Sequence, residues 1–147
     1  MLLKLSADSC IKGLDTDLSL GLNELGVQSG ISQSLTGPIT SCEKLAASIS
    51  AGNIPNQQHH LYIYKDEGSN QPLGFIKWGI KDLFFYRKNG SMLQCSPICL
   101  LDFFVHETLQ RRGVGFELFQ AMLTDTATSR KERCCLFICS QITLLLQ

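Results

Sequence analysis

The chain has 147 residues, of which 44% are hydrophobic and 18% charged. That suits one compact domain, leaves too little for two well-cored ones, and argues against an intrinsically disordered chain. Lys plus Arg and Asp plus Glu number 13 each, a formal charge of zero, which argues against a general nucleic-acid binder and its strong basic excess.

Met1 to Asp8 does not read as a signal peptide, because Lys4 and Asp8 interrupt any apolar core. The longest apolar stretches, Pro97–Val105 and Cys134–Leu146, fall short of the ~20 residues of a membrane span. A soluble cytoplasmic protein with no membrane or nucleic-acid partner is expected. Residues 1–16 are weakly patterned and expected to be loosely ordered. From Asp17, the apolar positions Leu18, Leu22, Leu25, Ile31 and Leu35 recur at helical spacing. Gly21, Gly26 and Gly30 each weaken that helix by about 1 kcal/mol relative to Ala, and Gly37-Pro38 ends it. Thr40-Ser-Cys-Glu43 reads as a capping box, the Thr40 hydroxyl accepting from the Glu43 amide, ahead of a short helix from Ser41 to about Ser50. Residues 51–58 read as a loop.

The period then changes. His60–Lys65 predicts a strand, Asp66–Pro72 a turn, and Leu73–Tyr86 one or two strands with bends at Gly74 and Gly79. Arg87–Ser91 is a turn carried by Asn89-Gly90. Pro97–Val105 is almost continuously apolar, the profile of a strand buried on both faces. Gly115 to about Thr124 predicts a helix with Phe116, Phe119 and Leu123 on one face and Leu118 and Met122 beside them. Thr126–Arg133 reads as a polar linker, and Cys134–Leu146 as a last strand or a short helix. The order of elements is α+β with a central, largely antiparallel sheet.

Seven cysteines, at 10, 42, 95, 99, 134, 135 and 139, contain no C-x-x-C spacing, and His59, His60 and His106 complete no zinc pattern. Small buried hydrophobes are the expected role for most of these thiols, and no metal site is expected. The most informative segment is the run from Leu101 to Phe119: a buried strand, a short loop Gln110-Arg-Arg-Gly-Val-Gly115, then an amphipathic helix. The first amides of a helix lack intrahelical partners and its dipole is positive there. Glycines let a phosphate approach the backbone, and Arg111 and Arg112 add charge. This suits an anion better than an ordinary two-glycine loop does. No Gly-Lys-Ser/Thr follows, so it is not a Walker loop, and the Rossmann spacing is absent too.

Gln110-x-x-Gly113-x-Gly115 resembles the pyrophosphate loop of GNAT-fold N-acetyltransferases, and the resemblance is closer still to the α-tubulin N-acetyltransferases. It is carried by Cys99–Glu107, Gln110–Gly115 and Glu117–Leu123. Two upstream blocks add to it: Asn23–Gly26 with Gln33 and Gly37–Ser41, and Leu73–Gly79. The matched blocks run in order from about residue 23 to 123. The resemblance implies a GNAT-like fold, with 1–16 a weakly patterned segment, 17–124 a partial acetyltransferase domain and 125–147 a divergent tail.

The resemblance implies acetyl-CoA along Phe103, Phe104, Val105, His106, Glu107, Thr108, Leu109, Gln110, Arg111, Arg112, Gly113, Val114, Gly115 and Phe116. It implies catalytic roles for Gln33 and Cys99, and contact with the substrate lysine at Ile39 and Lys44. The partners it implies are α-tubulin and microtubules, with lysine acetylation in the lumen. A lysine must lose a proton before attacking a thioester, which calls for a base or a water held by one, and for donors to the oxyanion. Gln33 can orient but cannot act as a base. Asp102 reads as a strand-end hydrogen-bond partner, Glu107 as a solvated or capping acid, and His106 as a loop histidine. Beyond Leu123 the likeness stops. The family's next strand, which ends in an Asp that is a candidate base, aligns at best with Leu136–Cys139, where Cys139 stands in for that Asp. Its first strand has no clear counterpart in residues 1–16. The expectation is a C-terminally shortened domain, with binding of CoA or tubulin without turnover as the alternative, and another GNAT enzyme acting on a different amine as a third reading.

Overall fold

β-Branched and aromatic runs in the middle of the chain pair into a five-stranded sheet, seen in a computed structural model that describes residues 1–6, 14–50, 59–129 and 136–138. The sheet order is β1 (Leu2–Ser6), β2 (His59–Lys65), β3 (Pro72–Ile80), β6 (Ile98–Val105) and β7 (Leu136–Ile138). The first four strands are antiparallel neighbours, and β7 runs parallel to β6. A separate hairpin joins β4 (Leu83–Tyr86) to β5 (Met92–Cys95) through the expected Asn89-Gly90 turn, where Gly90 has φ +80°. Among the described residues, three α-helices cover the sheet: α1 (Thr16–Ser32), α2 (Cys42–Ser50) and α3 (Val114–Ser129).

Each face of the sheet has its own core. On one, Tyr62, Ile76, Trp78, Ile98, Leu100, Phe103 and Val105 pack under Val114, Leu118 and Met122 of α3. On the other, Leu61, Ile63, Phe75 and Phe104 pack under Leu18, Leu22 and Leu25 of α1 and Leu45 of α2. Strand β6 is therefore covered on both sides, as its apolar profile predicts. Its side chains do not alternate evenly. Ile98 and Leu100 face α3, and so do Phe103 and Val105. The parity changes because the register with β3 passes from Leu100 directly to Asp102, leaving Leu101 opposite no residue. This bulge turns Asp102 toward α1, where strict alternation would have put it among the apolar residues under α3.

Helix α1 lies close to the segment that follows it. A Cβ on Gly26 would stand 2.0 Å from the Thr40 carbonyl oxygen, and one on Gly30 would stand 3.0 Å from that of Gly37. The glycines that weaken the isolated helix thus form the groove in which residues 37–40 lie.

Several expectations are corrected. Residues 2–6 are a strand paired with β2 from Leu2↔Tyr64 to Ser6↔His60; local patterning missed it because an edge strand draws its pairing from residues nearly sixty positions away. Helix α1 ends at Ser32, not near Gly37. Ser34 takes the left-handed conformation (φ 56°), and Ser34 N–H and Leu35 N–H donate to the Ile31 and Gly30 carbonyls at 3.0 and 2.9 Å, a Schellman-type stop. The capping group of α2 is Ser41, whose hydroxyl accepts from Lys44 N–H at 3.2 Å; Thr40 is buried and used elsewhere. Helix α3 continues to Ser129 through part of the expected linker. Its buried stripe is Val114, Leu118, Met122 and Thr126, and Phe116 is 67% exposed. Beside Gly74 the register with β2 skips Leu73, in line with the bend expected there, whereas Gly79 pairs regularly with His59 and Cys99 and the other irregularity falls opposite Leu101.

Near the end of α3, Asp125 accepts from the Tyr62 hydroxyl at 2.6 Å and pairs with Lys4 Nζ at 2.9 Å. The edge strand β1 and the last turns of α3 are thereby tied together across β2.

Candidate active site

Gln33 is the C-cap of α1. Since the helix stops there, its side chain is free to fold back over the last turn. Its Nε2 donates to Ser29 Oγ at 2.9 Å, one turn earlier, and to Asp102 Oδ1 at 3.1 Å on β6. Asp102 Oδ1 also accepts from the Ser29 hydroxyl at 2.8 Å and from Phe103 N–H at 2.9 Å, and Oδ2 accepts from the Thr40 hydroxyl at 2.6 Å. Asp102, Ser29 and Thr40 are fully buried, whereas Gln33 is half-buried. A buried carboxylate is costly unless its oxygens are well supplied with donors, and here four groups supply them. Asp102 is therefore not a strand-end partner. It is a mid-strand hub joining α1, the 37–40 segment and β6. The bulge that aims it inward, and the Ser29/Gln33 spacing of one helical turn, are the features that could have flagged it.

Cys99 is buried three residues before Asp102 on β6, with Sγ 3.7 Å from the Pro97 carbonyl. Alternation puts it on the α1 side too, roughly 10 Å along the strand at ~3.3 Å per residue. Its neighbours in the register are Gly79 and Phe137. Cys42, by contrast, lies under α1, and burial pushes its thiol above the ordinary value. Cys10, Cys134, Cys135 and Cys139 lie outside the described residues. Ile39 is half-buried directly before Thr40. Lys44 is exposed and bonds the Pro38 carbonyl, so α2 braces the same segment that carries Ile39 and Thr40.

At the other end of β6 the strand leads into a single 3-10 turn, Glu107–Leu109, and then the glycine loop. Gln110 Nε2 donates back to the Val105 carbonyl at 2.9 Å, which fixes the loop against the strand. Arg111 and Gly113 have φ 61° and 86°, left-handed values that let consecutive amides turn toward one side. Glu117 N–H donates to the Gly113 carbonyl at 2.9 Å, so the amides of Val114, Gly115 and Phe116 begin the helix without helical acceptors. Gly115 has a positional reason as well, since a Cβ there would stand 3.0 Å from Phe103 Cζ. Arg111, Arg112 and Gly113 are exposed, as are Glu107, Thr108, Gln110 and Phe116; His106, Leu109 and Gly115 are half-buried. Phe103, Phe104, Val105 and Val114 are buried in the two cores, so their side chains support the loop and only their backbone can meet a ligand. His106 Nδ1 lies 2.8 Å from Thr108 Oγ1 and caps the 3-10 turn, and Glu107 is exposed, in keeping with a loop histidine and a solvated acid.

Among the described residues, β7 pairs with β6 only from Ile98 to Leu100. The far half of that β6 edge, from the bulge to Val105, meets no described strand. A bulged central strand whose far edge no described strand covers, leading to a glycine loop at a helix start, is the arrangement of the GNAT class of acetyltransferase fold. A predicted acetyltransferase from Clostridium acetobutylicum, solved with acetyl-CoA, superposes with a TM-score of 0.59 at 11% identity, covering 99% of this chain and 88% of that one. A family model described as GNAT acetyltransferase, Mec-17 matches residues 4–137, and the chain belongs to that family. Its relatives include alpha-tubulin N-acetyltransferase 1 of Danio rerio, 44% identical over 106 residues, covering 69% of this chain and 33% of that protein. Another is the alpha-tubulin N-acetyltransferase of Phytophthora infestans, 38% identical over 97 residues, covering 66% and 52%. The chain thus spans between a third and about half of the length of these two relatives.

Proposed function

We propose that this chain transfers the acetyl group of acetyl-CoA to a lysine side chain of α-tubulin, in microtubules of the cytoplasm. The observation that carries the reading is the loop Gln110–Gly115, braced to β6 by Gln110 and opening α3 with left-handed angles at Arg111 and Gly113. Its amides and the exposed guanidinium groups of Arg111 and Arg112 fit a pyrophosphate. The part of the β6 edge that no described strand covers offers backbone donors and acceptors to the amide-bearing arm of the same ligand. Bound acetyl-CoA would supply the acetyl group as a thioester.

The chain's own part is to hold and orient. A lysine ammonium at the site first loses a proton to water; its nitrogen then bonds to the carbonyl carbon, the C–S bond breaks, and the further proton that the nitrogen sheds goes to the departing thiolate. Gln33, which can neither accept nor release a proton, orients the amine or a water beside it. Cys99 lines the same side of β6. Ile39 and Lys44, on and beside the braced segment, meet the substrate chain around its lysine. The names of the relatives support tubulin as the acceptor.

Labelled acetyl-CoA is incubated with the purified chain and polymerised α-tubulin, with free lysine and histone peptides in parallel. Label on tubulin alone is expected. Label on the other acceptors only would overturn the tubulin reading while leaving acetyl transfer in place. A second reading, binding without turnover, draws on the sequence alignment that sets Cys139 against the family's acid at best; it predicts CoA binding by calorimetry with no transfer to any acceptor.

A further inference from the structure

We propose that Asp102 is a positioning residue of this site: its buried carboxylate holds the Gln33 amide with the nitrogen turned inward, so that the amide oxygen is presented to the substrate amine. The inference rests on the acetyl-transfer reading given above.

An amide side chain offers either of two faces, and for an exposed glutamine the two orientations are nearly equivalent. Here the surroundings select one. The Ser29 hydroxyl gives its proton to Asp102 Oδ1 at 2.8 Å, so it faces Gln33 with lone pairs. Asp102 Oδ1 is an acceptor as well. Gln33 Nε2 stands 2.9 Å from one and 3.1 Å from the other, and the three atoms close a nearly equilateral triangle in which one N–H is shared between two acceptors. Turning the amide over would set its oxygen against both acceptors with no proton between them, against two buried groups that water does not screen. Gln33 Oε1 is then the outward group.

The orientation suits the chemistry. An oxygen at this place accepts an N–H of the incoming amine and leaves the nitrogen lone pair free to attack. An N–H in the same place would bind that lone pair and hold the nucleophile back. Asp102 is itself fixed by parts that meet only in the folded chain: the last turn of α1 through Ser29, the segment lying over Gly26 and Gly30 through Thr40, and the backbone just past the β6 bulge through Phe103 N–H.

The test is a double-mutant cycle on the full chain, reading kcat for acetyl transfer to polymerised α-tubulin and KM for acetyl-CoA. Asp102→Ala is expected to lower kcat by about tenfold or more with KM within about twofold, and D102A/Q33A to be no slower than Q33A beyond about twofold. Losses that multiply overturn the positioning role, because a residue that merely supports the fold does not need Gln33 to have its effect. Should D102A not fold, Ser29→Ala in the wild-type and Q33A backgrounds makes the same cycle, since Ala is well tolerated in a helix. A readout without turnover comes from heteronuclear NMR of the Gln33 side-chain NH2. Exchange slower than that of exposed glutamines in the same chain supports the held amide, and exchange as fast as theirs overturns it. A protected Gln33 amide in a chain that transfers no acetyl at all overturns the transfer reading and, with it, the role of the oxygen, but not the hydrogen-bond pattern.

Discussion

Ser34 holds a left-handed backbone angle without being glycine, a conformation that costs roughly 1–2 kcal/mol in an L-residue. Ser34→Gly is expected to raise stability by about 1 kcal/mol, read as a higher denaturant midpoint at unchanged slope. Thr40→Val keeps the side chain's shape and removes the proton that reaches Asp102 Oδ2. A hydrogen bond to a charged group contributes about 1.5–3 kcal/mol, so urea unfolding of this variant should show a loss of about 2 kcal/mol. At this scale sequence reading was uneven. The glycine loop was legible because its residue types are constrained locally: Gly113 by its angle, Gly115 by contact with Phe103. Thr40 read as a helix cap because Thr-x-x-Glu is a local pattern. Its actual partner lies 62 positions away, and nothing within a short window points there.

Helix α1 shows why elements are harder to judge than residues. Three glycines in seventeen residues argue against a helix when propensity alone is weighed, yet Gly26 and Gly30 are what let the segment before α2 lie against it. Tertiary contact outweighs a local cost of about 1 kcal/mol per glycine. The same contact predicts that Gly26→Ala, favourable in an isolated helix, lowers the thermal midpoint of this protein. Its methyl would meet a backbone carbonyl at 2.0 Å, and relief by backbone movement costs about 1–3 kcal/mol or more. Because the segment that moves carries Ile39 and Thr40, acetyl transfer by G26A should fall further than the loss of folded protein accounts for, measured by comparing rates with the folded fraction from circular dichroism. Strand β6 was legible in existence and burial but not in its bulge. A run of apolar residues gives no sign of where the alternation slips, so the inward aim of Asp102 was hidden although the residue itself stood in plain view.

Across the whole molecule, ionisable groups on both faces of the sheet set a pH dependence. Burial is the main force holding His59 and His60 below the ordinary imidazole value; Lys77, Lys81 and His60 add to it for His59, while Asp125 opposes it for His60. The Tyr62 hydroxyl, followed by Lys4, holds Asp125 below the usual carboxylate range, and burial, with help from Asp125, pushes the Tyr62 phenol up. A histidine with a depressed native value takes up its proton more readily when unfolded, so its contribution is present at neutral pH and is lost as pH falls below 6.5. Asp125 acts in the same direction below 3.8, and Tyr62 in the opposite one above 10. The urea midpoint should therefore fall on acidification from neutrality, and His60→Phe, which can keep the stack on Trp78 at 4.0 Å, should flatten part of that slope. A midpoint indifferent to pH between about 7.5 and 5.5 would exclude this account.

The tie between Lys4 and Asp125 also bears on how the chain is made. The two residues are 121 positions apart, and synthesis from the N-terminus proceeds at about 5–20 residues per second. The first strand therefore leaves the ribosome on the order of ten seconds before its clasp exists. For about the first half of that interval β2 has not been made either, and until the clasp forms β1 is held by its pairing with β2 alone, so the nascent chain depends on what shields it. Slowing translation ahead of α3 should lengthen that exposure and raise the fraction bound by chaperones, whereas a permuted chain that begins at β2 and supplies β1 last would escape the delay.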